Sequence, residues 1–402
     1  MRPDGAPARS PGQVAPRGPP AEGRLTGLDL ARGLAVLGMF AAHVGPDIED
    51  AGPAGALVQL THGRSAALFA LLAGVTLVII GGRRRPRTGT DGRRAQAKIA
   101  VRGAVLVAVG SVVAVLPAPV DVILAYYGLC FLLALPLIRL PARTLAVLAA
   151  ALAVSGPPAS FGVRTLLDEH GSRVAAVDAV DPLEWLSGEG IVDLLLTGTY
   201  PVMTWMPYMV AGMALGRLDL RDTRVLRRLV AGGAALAAAG YGASWLAFHL
   251  LPGVPEAVEE SGWHESGPAT WWLGPETGTV DTGTPALLLV AAPHSGTPFE
   301  IAGNLGTAVV VVACAVAVAE SRLRRVLRPV IAVGTVSLSV YVGHIVVMAV
   351  LEPDDTYGGP VPLFAFVGAA LVLAPSWTRR FRRGPLEYLL NAAAQAASRR
   401  VR

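Results

Sequence analysis

Two side chains with chemical capacity stand in one apolar stretch of this sequence: Arg32 and His43, within Leu30-Ala31-Arg32-Gly33-Leu34-Ala35-Val36-Leu37-Gly38-Met39-Phe40-Ala41-Ala42-His43. An imidazole titrates near neutral pH and serves as a general base, whereas a guanidinium grips phosphate bidentately. On a helix their eleven-residue spacing puts both on one face, about 16 Å apart along the axis. Ionisable residues inside an apolar span are costly, which makes each a functional-site hypothesis. An elongated anionic substrate fits this track. The bland alternative has Arg32 snorkelling to an interface and pairing with Asp29, three residues earlier.

The elements that must position these groups are membrane spans. Only 16% of the 402 residues are charged, against about 25% in soluble globular chains. Mean hydropathy is +0.52, and the charges cluster between long apolar runs. This is the pattern of an all-α polytopic membrane protein, embedded in the lipid bilayer. The net charge of +5 arises from loops flanking spans, so it gives no reason to expect nucleic acid. Of 34 basic residues only Lys98 is a lysine, a bias typical of a GC-rich genome; the expected location is a bacterial inner membrane. Cys130 and Cys314 lie in apolar runs with no metal-ligand spacing and are read as buried, inert thiols.

Residues 1–23 are rich in Pro, Gly, Ala and Arg and are read as a disordered cytoplasmic tail. Apolar segments follow at about 27–45, 65–81, 99–117, 119–138, 142–161, 197–216, 228–251, 300–320, 329–351 and 360–377. Loops after the even-numbered segments are basic, as in Arg83, Arg84, Arg85 and Arg87, whereas the alternate loops are acidic, as in Asp178, Asp181, Glu184 and Glu189. The positive-inside rule then predicts about ten transmembrane helices with both termini cytoplasmic. Residues 24–378 form the membrane domain. Residues 379–402 form a basic cytoplasmic tail carrying a short interfacial helix with Pro385 in its first turn. The long loop at 252–299, with Trp263, Trp271 and Trp272, is a candidate lid or re-entrant surface.

Further along, Ser337, Tyr341 and His344 fall on one helix face, either a hydrogen-bonded packing seam or a substrate-lining surface. Tyr200, Trp205 and Tyr208 sit where an aromatic belt would place them. Gly- and Ala-rich spans are compatible with a homo-oligomer.

Arg24-Leu25-Thr26-Gly27-Leu28-Asp29-Leu30-Ala31-Arg32-Gly33-Leu34-Ala35, followed by His43, resembles the first helix of the transmembrane acyltransferases. In the acyltransferase-three family an arginine, ten intervening residues and a histidine form the motif of this helix, and Arg32 and His43 match it. Gly63-Arg64-Ser65 through Gly74 resembles the second-helix signature of the branch containing heparan-α-glucosaminide N-acetyltransferase and the bacterial YeiB-like proteins. So do Gly198-Thr199-Tyr200-Pro201 with Trp205, Pro207 and Tyr208, and His294-Ser295-Gly296-Thr297. Arg383-Gly384-Pro385-Leu386-Glu387 is YeiB-like as well. These motifs run from about 24 to 390, nearly the whole chain.

The resemblance implies a membrane-bound acyltransferase. Its donor would be a cytosolic acyl-CoA, acetyl-CoA first, and its acceptor a hydroxyl or amine of an extracytoplasmic glycan, lipid-linked sugar or small metabolite. No metal is expected. The base is His43 or His62: the first matches the acyltransferase-three spacing, the second only the region where the lysosomal enzyme carries its histidine, without that enzyme's Trp-Asn-Gly context. Arg32, with Asp29 and Arg64, is expected to position the donor, and His294, His344 and Tyr341 to line the substrate path. Two rival readings stand beside this one. A transporter also uses intramembrane Arg and His, although the inverted repeats typical of transporters are not evident. A non-catalytic family member would tolerate loss of His43.

Overall fold

The computed structural model describes residues 25–46, 55, 58–168, 171–260, 278–351 and 358–401. Within them the chain is helical, without β-strands. The proposed N-terminal tail and the three tryptophans of the 252–299 loop lie outside the described residues.

The first helix, α1 (Thr26–Val44), is the most enclosed of the long apolar helices. Two-thirds of its apolar window (67%) is buried inside the protein, against 11% for the peripheral span near residue 370. It leads to α2 (Arg64–Ile80), α3 (Gly89–Ala114), α4 (Leu124–Leu133) and α5 (Ala142–Asp168). Two short helices, α6 (Gly171–Asp178) and α7 (Pro182–Ser187), precede α8 (Val202–Gly216), α9 (Thr223–Leu250) and α10 (Val254–Glu260). Then come α11 (Pro298–Ala319), α12 (Arg328–Thr335), α13 (Ser337–Leu351), α14 (Pro360–Arg380) and α15 (Pro385–Arg400).

Every apolar segment expected from the sequence falls on helix. Among the described residues six helices are long and apolar enough to cross a membrane, and α12 with α13 makes a seventh if that bent pair is one span. The other three segments are α2, α4 and α8, shorter apolar helices. The segment expected at 329–351 is not one rod: it bends by 83° between Thr335 and Ser337. The helix after Pro385 is 16 residues long, and its Leu390, Ala394 and Ser398 are buried where it packs on α3 and α13. Cys130 is buried, but Cys314 faces outward on α11, which corrects its reading as a buried thiol; both are free.

The bend lets α12 lie flat against α1. A Cβ on Gly334 would overlap the carbonyl oxygen of Asp29, and one on Gly33 would overlap that of Val330. The two backbones touch, so neither position has room for a side chain. Overpacking typically costs about 1–3 kcal/mol, and here rigid backbone rather than a mobile side chain is the obstacle. Gly334→Ala is therefore expected to lower the thermal unfolding temperature of the detergent-solubilised protein; a variant as stable as the wild type would disprove the contact.

Candidate functional site

His43, in the last turn of α1, meets His344, in the middle of α13. Nδ1 of His43 lies 2.9 Å from Nε2 of His344, and the rings stack at 5.2 Å with an interplanar angle of 19°. Phe40 and Tyr341 pack against the His344 ring at 5.1 Å and 5.3 Å. The tautomers follow from the partners. Nδ1 of His344 meets the carbonyl oxygen of Tyr341, which can only accept, so this nitrogen carries the proton. In the neutral ring Nε2 is then the acceptor, and His43 must donate to it from Nδ1. The basic lone pair of His43 is left on Nε2.

The helix that carries His344 is held at its first turn by a residue distant in sequence. The carboxylate of Glu387, in the first turn of α15, accepts from the backbone N–H of Leu338 at 2.7 Å and of Ser339 at 3.2 Å. It also accepts from the Ser339 hydroxyl, whose oxygen in turn accepts from the N–H of Leu386 at 3.0 Å. A remote residue thus does the work of an N-cap: it satisfies orphan donors at the start of α13 and places negative charge at the positive end of the helix dipole.

A second polar cluster lies where α2, α8, α9 and α11 meet. Glu300 is fully buried; it accepts from the backbone N–H of His294 (2.8 Å) and Gly296 (2.7 Å) and from the Asn304 amide (2.9 Å). Asn304 accepts from the Tyr241 hydroxyl at 2.6 Å, which accepts from Nε of Arg64 at 2.9 Å. The turn at His62 and Gly63 abuts the same carboxylate: a Cβ on Gly63 would lie 3.2 Å from Glu300 Oε1. His294 is held at a φ of 58°, rare for a residue with a side chain, with its ring against Tyr200 and Trp205. Tyr200, Trp205 and Tyr208 are buried, so they form internal packing and not the aromatic belt expected of them.

Arg32 sits toward the other end of α1, donating to Asp29 at 3.0 Å and to the Thr76 hydroxyl at 2.8 Å. Its side chain keeps 22% of its exposure, whereas Asp29 is buried. The candidates thus divide into three groups: Arg32 with Asp29; His43 with His344 and Tyr341; and His62, Arg64 and His294 around Glu300. Sequence reasoning missed Glu300, Asn304, Tyr241 and the role of Glu387. Thr297-Pro298-Phe299-Glu300 is a capping-box pattern that pointed to Glu300; the Thr297 hydroxyl does cap, accepting from the Glu300 N–H at 3.2 Å. Among the described residues no group of three His, Cys, Asp or Glu side chains is arranged to hold a metal ion.

Residues 24–252, more than half of the chain, match the family described as heparan-alpha-glucosaminide N-acetyltransferase, catalytic. The chain belongs to this family. Residues 284–397 match a second one, described as protein of unknown function (DUF418). No curated protein matches the chain. As a member of the N-acetyltransferase family it is a multi-pass membrane protein, and its histidine pair joins the two matched regions: His43 comes from the acetyltransferase part, His344 and Glu387 from the other.

Two predictions follow from local geometry. Glu387→Ala removes hydrogen bonds to a charged acceptor, each typically worth about 1.5–3 kcal/mol; a fall in thermal stability is expected, partly recovered in Glu387→Gln, whose amide oxygen still accepts. Equal stability of all three proteins would show that the contact is dispensable. The second concerns Glu189, in the loop after α7. Burial first, then the nearby Asp121 and Asp193, pushes its carboxyl up to about 7 from 4.5. A raised acid pKa stabilises the fold below the unfolded value, and that contribution is lost as pH climbs from 4.5 through about 7. Glu189→Gln should flatten the decline of melting temperature over that interval; an unchanged slope would rule Glu189 out as its source.

Proposed function

We propose that this protein transfers an acyl group from a cytosolic acyl-CoA, acetyl-CoA being the donor to test first, to a hydroxyl or amine outside the membrane. The observation that carries the reading is the His43–His344 contact, whose tautomers put the basic nitrogen at His43 Nε2. In this proposal the Thr26 end of α1 and its basic loops face the cytoplasm, with ten crossings and the helix after Pro385 on the inner membrane surface. The acceptor is a glycan, a lipid-linked sugar or a small metabolite.

The chemistry is a single displacement. His43 Nε2 removes the proton from the acceptor as its oxygen or nitrogen attacks the thioester carbonyl. The tetrahedral intermediate collapses, the carbon–sulfur bond breaks, and the imidazolium returns the proton to the departing thiolate. Through the Nδ1–H bond, His344 holds the His43 ring in one tautomer and one orientation while the positive charge is on it. Arg32 supplies a cation for the donor's phosphates about 16 Å along the helix from the base, a distance that an extended pantetheine arm can span.

General-base catalysis typically contributes about 10²–10⁴-fold, so His43→Ala should lose at least that lower factor in turnover while still binding donor. His344→Ala should lose less, and His344→Gln should restore part of the loss because its amide oxygen accepts from His43 Nδ1. Arg32→Ala should raise the KM for acetyl-CoA more than it lowers kcat. CoA release by protein in lipid nanodiscs, with cell-envelope extract as acceptor, measures all three. Full turnover in His43→Ala would end this assignment and make His62 the next residue to remove.

A further inference from the structure

A groove of about 780 Å³ runs along α13 and α14 on the outside of the bundle, with Phe40 and His344 in its wall and Arg380 at its far end. Its lining on α14 extends from Ala365 to Arg380, about 22 Å at 1.5 Å per residue. At the Arg380 end it adjoins a cleft of about 520 Å³. Trp377, Phe381 and Pro385 line both, so the two lie side by side.

The cleft differs from the groove in chemistry. Arg382 and Arg383 line it, together with Tyr388 and the Trp377–Phe381 ring pair, whose centroids are 4.6 Å apart. The indole N–H of Trp377 donates to the carbonyl oxygen of Arg383 at 2.9 Å, which fixes the ring beside the arginines. Arg102, on α3, has a buried Nε with no hydrogen-bond partner. Guanidiniums beside flat aromatic rings match a phosphorylated nucleotide, with phosphate on the arginines and base on the rings. Both volumes lie within the range of about 300–1,000 Å³ usual for ligand sites.

We infer that the cleft and groove together bind the acyl donor: the adenine nucleotide sits at Trp377, Phe381, Arg382 and Arg383, and the pantetheine–acyl arm runs along the groove to His344. This rests on the acyl transfer proposed above and adds the place where the donor sits. Arg32 lines neither the groove nor the cleft, so this placement stands in place of the direct phosphate contact given to Arg32 above. The groove continues past His344 to Val347 and Leu351, so a chain longer than acetyl finds apolar wall there.

The test uses the full chain in nanodiscs, with and without phosphatidylglycerol, and measures affinity for acetyl-CoA and for adenosine 3′,5′-bisphosphate by calorimetry. Arg383→Gln and Trp377→Leu should each weaken both probes by about tenfold, the loss of a charge-assisted or a stacking contact. Gly343→Phe should weaken acetyl-CoA alone; Gly343 lines the groove and a Cβ there meets nothing within 4 Å, so the side chain starts in open space. Arg324→Gln, in another basic loop, should bind both probes as the wild type does. If the cleft variants bind both probes normally while the wild type still transfers acyl groups, this site is wrong and the acyltransferase reading survives. If the variants alter retention of phosphatidylglycerol but not of either probe, the cleft holds a lipid headgroup and the inference falls. If the wild type binds neither probe, the acyl-CoA reading falls with it.

Discussion

Two neutral imidazoles in contact have one proton to share at their interface, and where it lies is settled by what each ring touches on its other side. In this molecule the carbonyl of Tyr341 decides the matter for His344, and His344 decides it for His43. The arrangement works only if α13 holds its rotation and height relative to α1. Much of the architecture serves that end: the flat approach of α12 through Gly33 and Gly334, the 83° bend that sends α13 up beside α1, and the carboxylate of Glu387 on its first turn.

The second cluster follows the same physics with different groups. A buried carboxylate is tolerated when its oxygens are fully hydrogen-bonded. Glu300 meets that condition by drawing two backbone N–H groups and an amide onto itself. In doing so it fixes the loop carrying His294 and backs the turn carrying His62. His344 and His294 are thus placed by acceptors with no freedom of their own, a backbone carbonyl for one and a trapped carboxylate for the other.

The helices were largely legible in the sequence because hydrophobic run length and loop charge are local signals, and each of the ten apolar segments falls on helix. The bend at Val336 was not. The residues around it, Gly334-Thr335-Val336-Ser337, remain apolar enough to read as one span, and the break is stabilised by a glutamate about 50 positions later. The Arg32–Asp29 pair could be read from its i, i+3 spacing and is present. The pairing of His43 with His344 spans 301 positions and leaves no trace in periodicity. Glu387 was visible as part of a motif, but its role depends on a contact that only folding creates. The three aromatics at 200, 205 and 208 show the limit of pattern: ring types at a span boundary look alike whether they face lipid or protein.

The order of the chain also sets the order of assembly. The N–H groups of Leu338 and Ser339 precede the carboxylate that caps them by nearly 50 positions, so they are synthesised before their partner. An open helix end there is expensive, and the nascent chain must keep it near headgroups or shield it with water or another protein until α15 emerges and docks. The histidine pair, built from helices 301 positions apart, therefore gains its final geometry only once the later helix and its cap are both in place.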